Sequence, residues 1–249
     1  MNRAAIATLL GKELRQTGRN RSAMLTATLL PLLIMLVAPL GALVQLRLAG
    51  GARGLEQLQA VPLTGLSSLA DPEQLLVQFM YPLFFTLGGL MLPSLTTTYA
   101  IVAERERRSL ELLIALPVTV GEILLAKLLA VLVVSLIVVL PLFAIVVSAL
   151  LVLGVADATA IPYLLLPLAA ALACSTCVAL LITLLARDFR TANNLNGALF
   201  VPLLLLSMAT LAAVGGPGRT AVLSALLLAA GLVALAVAIR WVTFERYLE

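Results

Sequence analysis

Leu75 to Val102 reads LLVQFMYPLFFTLGGLMLPSLTTTYAIV, 28 residues without one charge. About 20 apolar residues, each rising 1.5 Å as helix, cross a hydrocarbon core of roughly 30 Å. Lipid offers the backbone no hydrogen-bond partners, so such a run must satisfy its own amides and is therefore a helix. Moving outward, five further runs of this kind lie at about 23–46, 123–154, 161–186, 195–214 and 220–241. The whole chain agrees with them. Of its 249 residues 62% are hydrophobic and only 11% are charged, against about 25% charged in a soluble domain. The sequence predicts an all-α polytopic membrane protein: one transmembrane domain over residues 1–249 with six spans.

The run at 123–154 exceeds one crossing, which predicts tilt or a projection beyond the lipid. Pro31, Pro39, Pro82, Pro93, Pro141, Pro167 and Pro202 fall within the spans. Neighbouring helices can supply the hydrogen bonds they remove, so they mark expected kinks rather than breaks. Cys174 and Cys177 share one helix face at i and i+3, and small residues on membrane helices favour close packing. With no other soft ligand nearby, packing is their expected role rather than redox or metal chemistry. Residues 3–20 place Ile6, Leu9, Leu10, Leu14 and Thr17 at helical spacing, with Arg3, Lys12, Glu13 and Arg19 largely elsewhere on the wheel. That pattern predicts an amphipathic helix in the headgroup layer over about 1–21 and an uncleaved first span.

Lys and Arg accumulate in cytoplasmic loops. The N-terminal segment, the stretch after span two, the 187–190 loop and the C-terminus together hold 13 of the 16 such residues; Arg47, Arg53 and Arg219 lie on the other side. Both termini are thus expected in the cytoplasm. The Gly215-Gly216-Pro217-Gly218 run predicts a tight turn on the opposite face, between spans five and six.

Immediately after span two the chain reads AERERRSLELLIALPVTVGEILLAK, Ala103 to Lys127. Glu104, Glu106 and Glu111 alternate with Arg105, Arg107 and Arg108, and Leu110, Leu112, Leu113, Ile114 and Leu116 follow. The pattern predicts a short cytoplasmic helix that Pro117 stops. Thr119 and Glu122 then form a capping box that restarts the helix of span three. The mixed charges suit a protein interface; they equally suit a solvated loop whose arginines set the topology.

Several chemistries are missing. There is no histidine, which removes Ser–His and His–metal arrangements. No G-x-x-x-x-G-K-[ST] loop exists to hold a nucleotide phosphate. Glu104, Glu106, Glu111, Glu122, Asp188 and Glu245 all sit at the cytoplasmic rim. The span interiors therefore offer only neutral polar groups such as Gln78, Tyr81, Thr96, Thr97, Thr98, Ser135, Ser148, Ser175, Thr176 and Ser207. Ion-coupled pumps usually place an ionisable group at that depth. Hydroxyls there more often bond their own helix backbone. No catalytic or metal-binding residue is predicted, and uphill transport would need energy from a partner.

The stretch Glu104 to Lys127 resembles the signature of ABC-2 type transporter permeases, in which a segment like E-x-E-x-G-T-L-E-x-L-L-x-x-P follows the second span and E-x-x-x-x-K opens the third. Glu104, Glu106, Leu110, Glu111, Leu113, Pro117, Glu122 and Lys127 match. Ser109 stands for the usual Thr, and Arg108 replaces the common Gly. The Lys12-Glu13-Leu14-Arg15 run before a proline-containing first span is also similar, as are the six spans and the Arg187-Asp188-Phe189-Arg190 loop. The resemblance implies a homodimeric permease in a bacterial or archaeal cytoplasmic membrane, with no nucleic-acid partner and bound to two copies of a separate ATPase that carries the ATP and Mg. It implies export, and a coupling helix within 103–118. The coupling residues would be Glu104, Arg105, Glu106, Arg107, Arg108, Glu111, Leu112 and Leu113, with Glu104, Glu106, Arg107 and Glu111 as contacts and the two leucines packing onto the bundle. Spans two and five would line the pathway, drawing attention to Thr96, Thr97, Asn194 and Asn196. The substrate is not legible. The competing readings are an ion-coupled secondary transporter or channel, and a non-transporting membrane scaffold.

Overall fold

The computed structural model describes residues 11, 28–48, 72–106, 120–185 and 189–241. Apart from the turns at 153–159 and 214–218, these residues are helical. Six helices follow: α1 (28–48), α2 (72–106), α3 (Val120–Val152), α4 (Ala160–Leu185), α5 (Phe189–Ala213) and α6 (Arg219–Trp241). Each is long and apolar enough to cross a membrane. The expected interfacial helix lies, except for the helical Gly11, outside the described residues.

Helices α2 and α4 run side by side through the middle and divide the bundle into two cores. One core joins them to α1 and α3 around Met35, Tyr81, Phe85, Phe143, Leu164 and Leu168. There the Phe85 and Phe143 rings meet at 5.0 Å with a 58° tilt, inside the favoured range for aromatic pairs. The other core joins them to α5 and α6 around Leu90, Ala171, Cys174, Leu211, Leu223 and Leu227. Small residues let these backbones close in. A Cβ on Gly89 would stand 3.0 Å from Ala171 Cβ of α4, and one on Gly231 of α6 would stand 2.9 Å from Cys174 Cα. Cys174 is fully buried and its thiol is free. Its role here is packing, as its place on a membrane helix predicts.

The prolines do not break the helices: α2, α3, α4 and α5 continue through Pro93, Pro141, Pro167 and Pro202. At Pro39 and Pro82 the accommodation is visible. A π-helical turn, Leu33–Val37, ends just before Ala38-Pro39, and another, Leu76–Met80, ends just before Tyr81-Pro82. A proline ring clashes with the carbonyl four residues back and leaves it without a donor. Widening the turn by one residue relieves that clash.

Two compact turns lie at one end of the bundle. After α3, the Gly154 amide donates to Leu151 O (3.2 Å) and the Val155 amide to Leu150 O (3.0 Å), with Gly154 at φ +66°. This paired arrangement is the glycine-capped ending that satisfies a helix's last carbonyls. Between α5 and α6, Gly216 takes φ +77°, which a residue with a Cβ rarely adopts. The tight turn expected from Gly215-Gly216-Pro217-Gly218 is present. α3, at 33 residues, is about 50 Å long. That exceeds the roughly 30 Å hydrocarbon core, as expected of a run longer than one crossing.

Candidate functional site

α1, α4 and α5 each share a hydrogen bond with α2. Tyr163 OH of α4 donates to Gln78 O at 3.2 Å. Ser175 Oγ of α4 donates to Leu90 O, and Asn196 Nδ2 of α5 donates to Ser94 O at 3.1 Å. From α2 itself, Tyr81 OH donates to Pro39 O of α1 at 3.3 Å. The Gln78 bond has a local cause: its ordinary helical donor would be the amide of Pro82, which has none. Interhelical bonds of this kind contribute about 0.6 kcal/mol each, up to about 1.7. Four of them fix the register of α2 against α1, α4 and α5.

Most remaining hydroxyls bond their own helix. Thr96 donates to Leu92 O and Pro93 O, Thr97 to Pro93 O, Ser148 to Ile145 O, Thr176 to Leu172 O and Ala173 O, and Ser207 to Leu203 O. That is the local bonding expected of such residues. Ser135 Oγ of α3 is buried with no hydrogen-bond partner among the described residues. Of the residues drawn to attention on spans two and five, Thr96, Thr97 and Asn196 are buried and Asn194 is exposed.

At the charged end, α2 continues without interruption past its apolar span to Glu106. Glu104, Arg105 and Glu106 thus occupy the last described turn of the same helix that forms span two. Arg107, Arg108, Glu111, Leu112, Leu113 and Thr119 lie outside the described residues. Glu122 falls in the first described turn of α3.

At the glycine-turn end the sequence reading missed a feature. Arg219, counted in the sequence only as a charge on that side, is fully buried. Its Nε donates to Gly216 O at 3.2 Å, and its backbone amide approaches the same carbonyl at 3.5 Å. Nη1 and Nη2 are buried and have no hydrogen-bond partner among the described residues. The Thr220 hydroxyl adjoins the Tyr163 hydroxyl, which bonds α2, and the Arg219 charge acts on that phenol. Arg240, at the far end of α6, is exposed. A guanidinium is charged at all physiological pH, and burying it costs about several kcal/mol unless it is paired.

A model of the family described as "ABC-2 family transporter protein" matches residues 7–223. The chain belongs to the ABC-2 transporter family. Neither the curated proteins nor the solved structures give a match. The protein is accordingly an ABC transporter permease, a multi-pass membrane subunit. Its matched region takes in α1 to α5, the charged stretch after α2, and the start of α6 with Arg219. In this permease the shared helix, α2, joins the charged end to both cores. The signal for Tyr163 was present in the sequence as the donorless Gln78 carbonyl, but not the identity of the donor. Arg219 could have been noticed as a charge placed directly between a glycine turn and an apolar helix.

Proposed function

We propose that this permease exports its substrate through a homodimer driven by a separate ABC ATPase that docks on the segment from Glu104 to Leu113. The observation that carries this reading is the single helix from residue 72 to Glu106. At 35 residues it is about 52 Å long. A push on Glu104 or Glu106 therefore displaces a rod hydrogen-bonded to α1, α4 and α5 rather than a slack loop. Both termini lie in the cytoplasm in this reading, with the charged end facing the motor and the glycine-turn end facing outward. ATP and Mg belong to the partner, since this chain has no phosphate-binding loop. The charges after α2 then serve as a docking surface whose opposed signs select register and partner.

The test is ATP turnover by the permease reconstituted with its ATPase. Reversing Glu104 and Glu111 to Lys is expected to abolish permease-dependent turnover while membrane insertion is kept. Unchanged turnover would remove the segment from the coupling path.

A further inference from the structure

We propose that Arg219 is the receptor for a phosphate group at the glycine-turn end, carried either by a soluble ligand of the permease or by a lipid headgroup. An ionisable side chain buried at the edge of a membrane bundle is expected to face a partner or a pathway. Arg219 does not reach out to water: it is fully buried. Its Nε is engaged with Gly216 O, while both terminal nitrogens lack partners among the described residues. Those nitrogens form a planar fork that matches two oxygens of an acidic group at once.

The surroundings favour phosphate over carboxylate. The Arg219 charge acts on the Tyr163 hydroxyl, and the Thr220 hydroxyl adjoins that same phenol. Arg219 opens α6, and the first turn of a helix presents amide donors and a positive dipole end. A two-pronged fork beside the first amides of a helix suits a group with three or more acceptor oxygens. The Gly216 turn holds the arginine from behind, since one carbonyl receives both its Nε and its amide. Tyr163 in turn holds Gln78 O beside the π-turn of α2. Filling the site therefore alters the neighbour of the helix whose other end carries Glu104. The site is closed here, and a ligand enters when the start of α6 parts from α4. That purpose rests on the permease reading; the binding itself does not.

The test uses the full chain purified in a maltoside detergent, without ATPase, so its outcome is separate from that of the coupling assay. Thermal unfolding is followed while inorganic phosphate is titrated at constant ionic strength. In a second arm phosphatidylglycerol is added to the micelles, with a neutral glycolipid as control. A saturable rise in Tm is expected in at least one arm, because a ligand held only by the folded state stabilises it. A response to inorganic phosphate identifies a soluble ligand, and a response to phosphatidylglycerol alone identifies a headgroup. Arg219→Gln should remove the rise, and Arg219→Lys, which keeps the charge but loses the fork, should weaken the midpoint at least about tenfold. Arg240→Gln should leave it intact. No rise in either arm, an equal rise in Arg219→Gln, or the same midpoint for Lys and Arg overturns the proposal. Should the Gln variant fail to fold, the Lys comparison decides.

Discussion

α2 and α5 are the two least apolar of the six spans, yet 67% of the α2 span is buried inside the protein against 28% of the α5 span. α2 resolves its polarity internally. Its carbonyls at 78, 90 and 94 take donors from α4 and α5, and its threonines back-bond. α5 does so only in part: Asn196 turns onto α2, while Arg190, Asn193 and Asn194 stay exposed. A polar helix left uncovered in a membrane protein calls for water, a second subunit or a substrate. Similar composition thus serves two purposes, a fixed strut in α2 and a face still to be covered in α5.

The largest test of that contrast uses their glycines. Gly89 of α2 faces Ala171 Cβ at 3.0 Å and Leu168 O at 3.2 Å, whereas Gly197 of α5 has nothing within 4 Å. Gly89→Leu should lower stability by about 1–3 kcal/mol or more through overpacking, read as lost thermal stability in detergent. Gly197→Leu should stay within about 0.5 kcal/mol. Equal effects would end the distinction. The asparagines sharpen it: Asn196→Ala should cost about 1 kcal/mol by removing the bond to Ser94 O. Asn194→Ala should leave stability unchanged while reducing ATP-driven transport by proteoliposomes. Tyr163→Phe strips the donor from Gln78 O and should cost about 0.6–1.7 kcal/mol by the same thermal measurement. Smallest of all, Cys177→Ser should leave both stability and transport unaltered, because no disulfide or metal role attaches to that half-buried thiol.

The spans were legible in the sequence because lipid imposes a length and a polarity that 20-residue windows register directly. The glycine turns were equally legible, since Gly216 and Gly154 occupy positive φ that other residues avoid. Which helices meet was not. No amphipathic stripe told α2 and α4 from the rest; that depended on Gly89 against Ala171 and Gly231 against Cys174, contacts with no local signature. The π-turns before Pro39 and Pro82 followed from proline chemistry but appeared in the sequence only as expected kinks. At the site, the sequence set Glu104 to Glu106 just after span two, and the structure adds that they continue the span-two helix. The burial of Arg219 was not legible, because counting loop charges gives a side and not an exposure; the Gly216 carbonyl and the inner packing of α6 draw this one inside.

The central claim is that α2 acts as one rod between the charged end and the two cores. It is tested most directly by spin-label distances within α2, from Gln74→Cys to Ala103→Cys, in a variant lacking Cys174 and Cys177 and assembled with its ATPase. The separation of 29 helical steps predicts about 44 Å. That distance should be the same in the nucleotide-free and nucleotide-trapped complexes, while a Gln74–Asn194 distance changes. A shortening or broadening of the distance within α2 on trapping nucleotide would mean that the helix bends or unwinds, and would contradict the account.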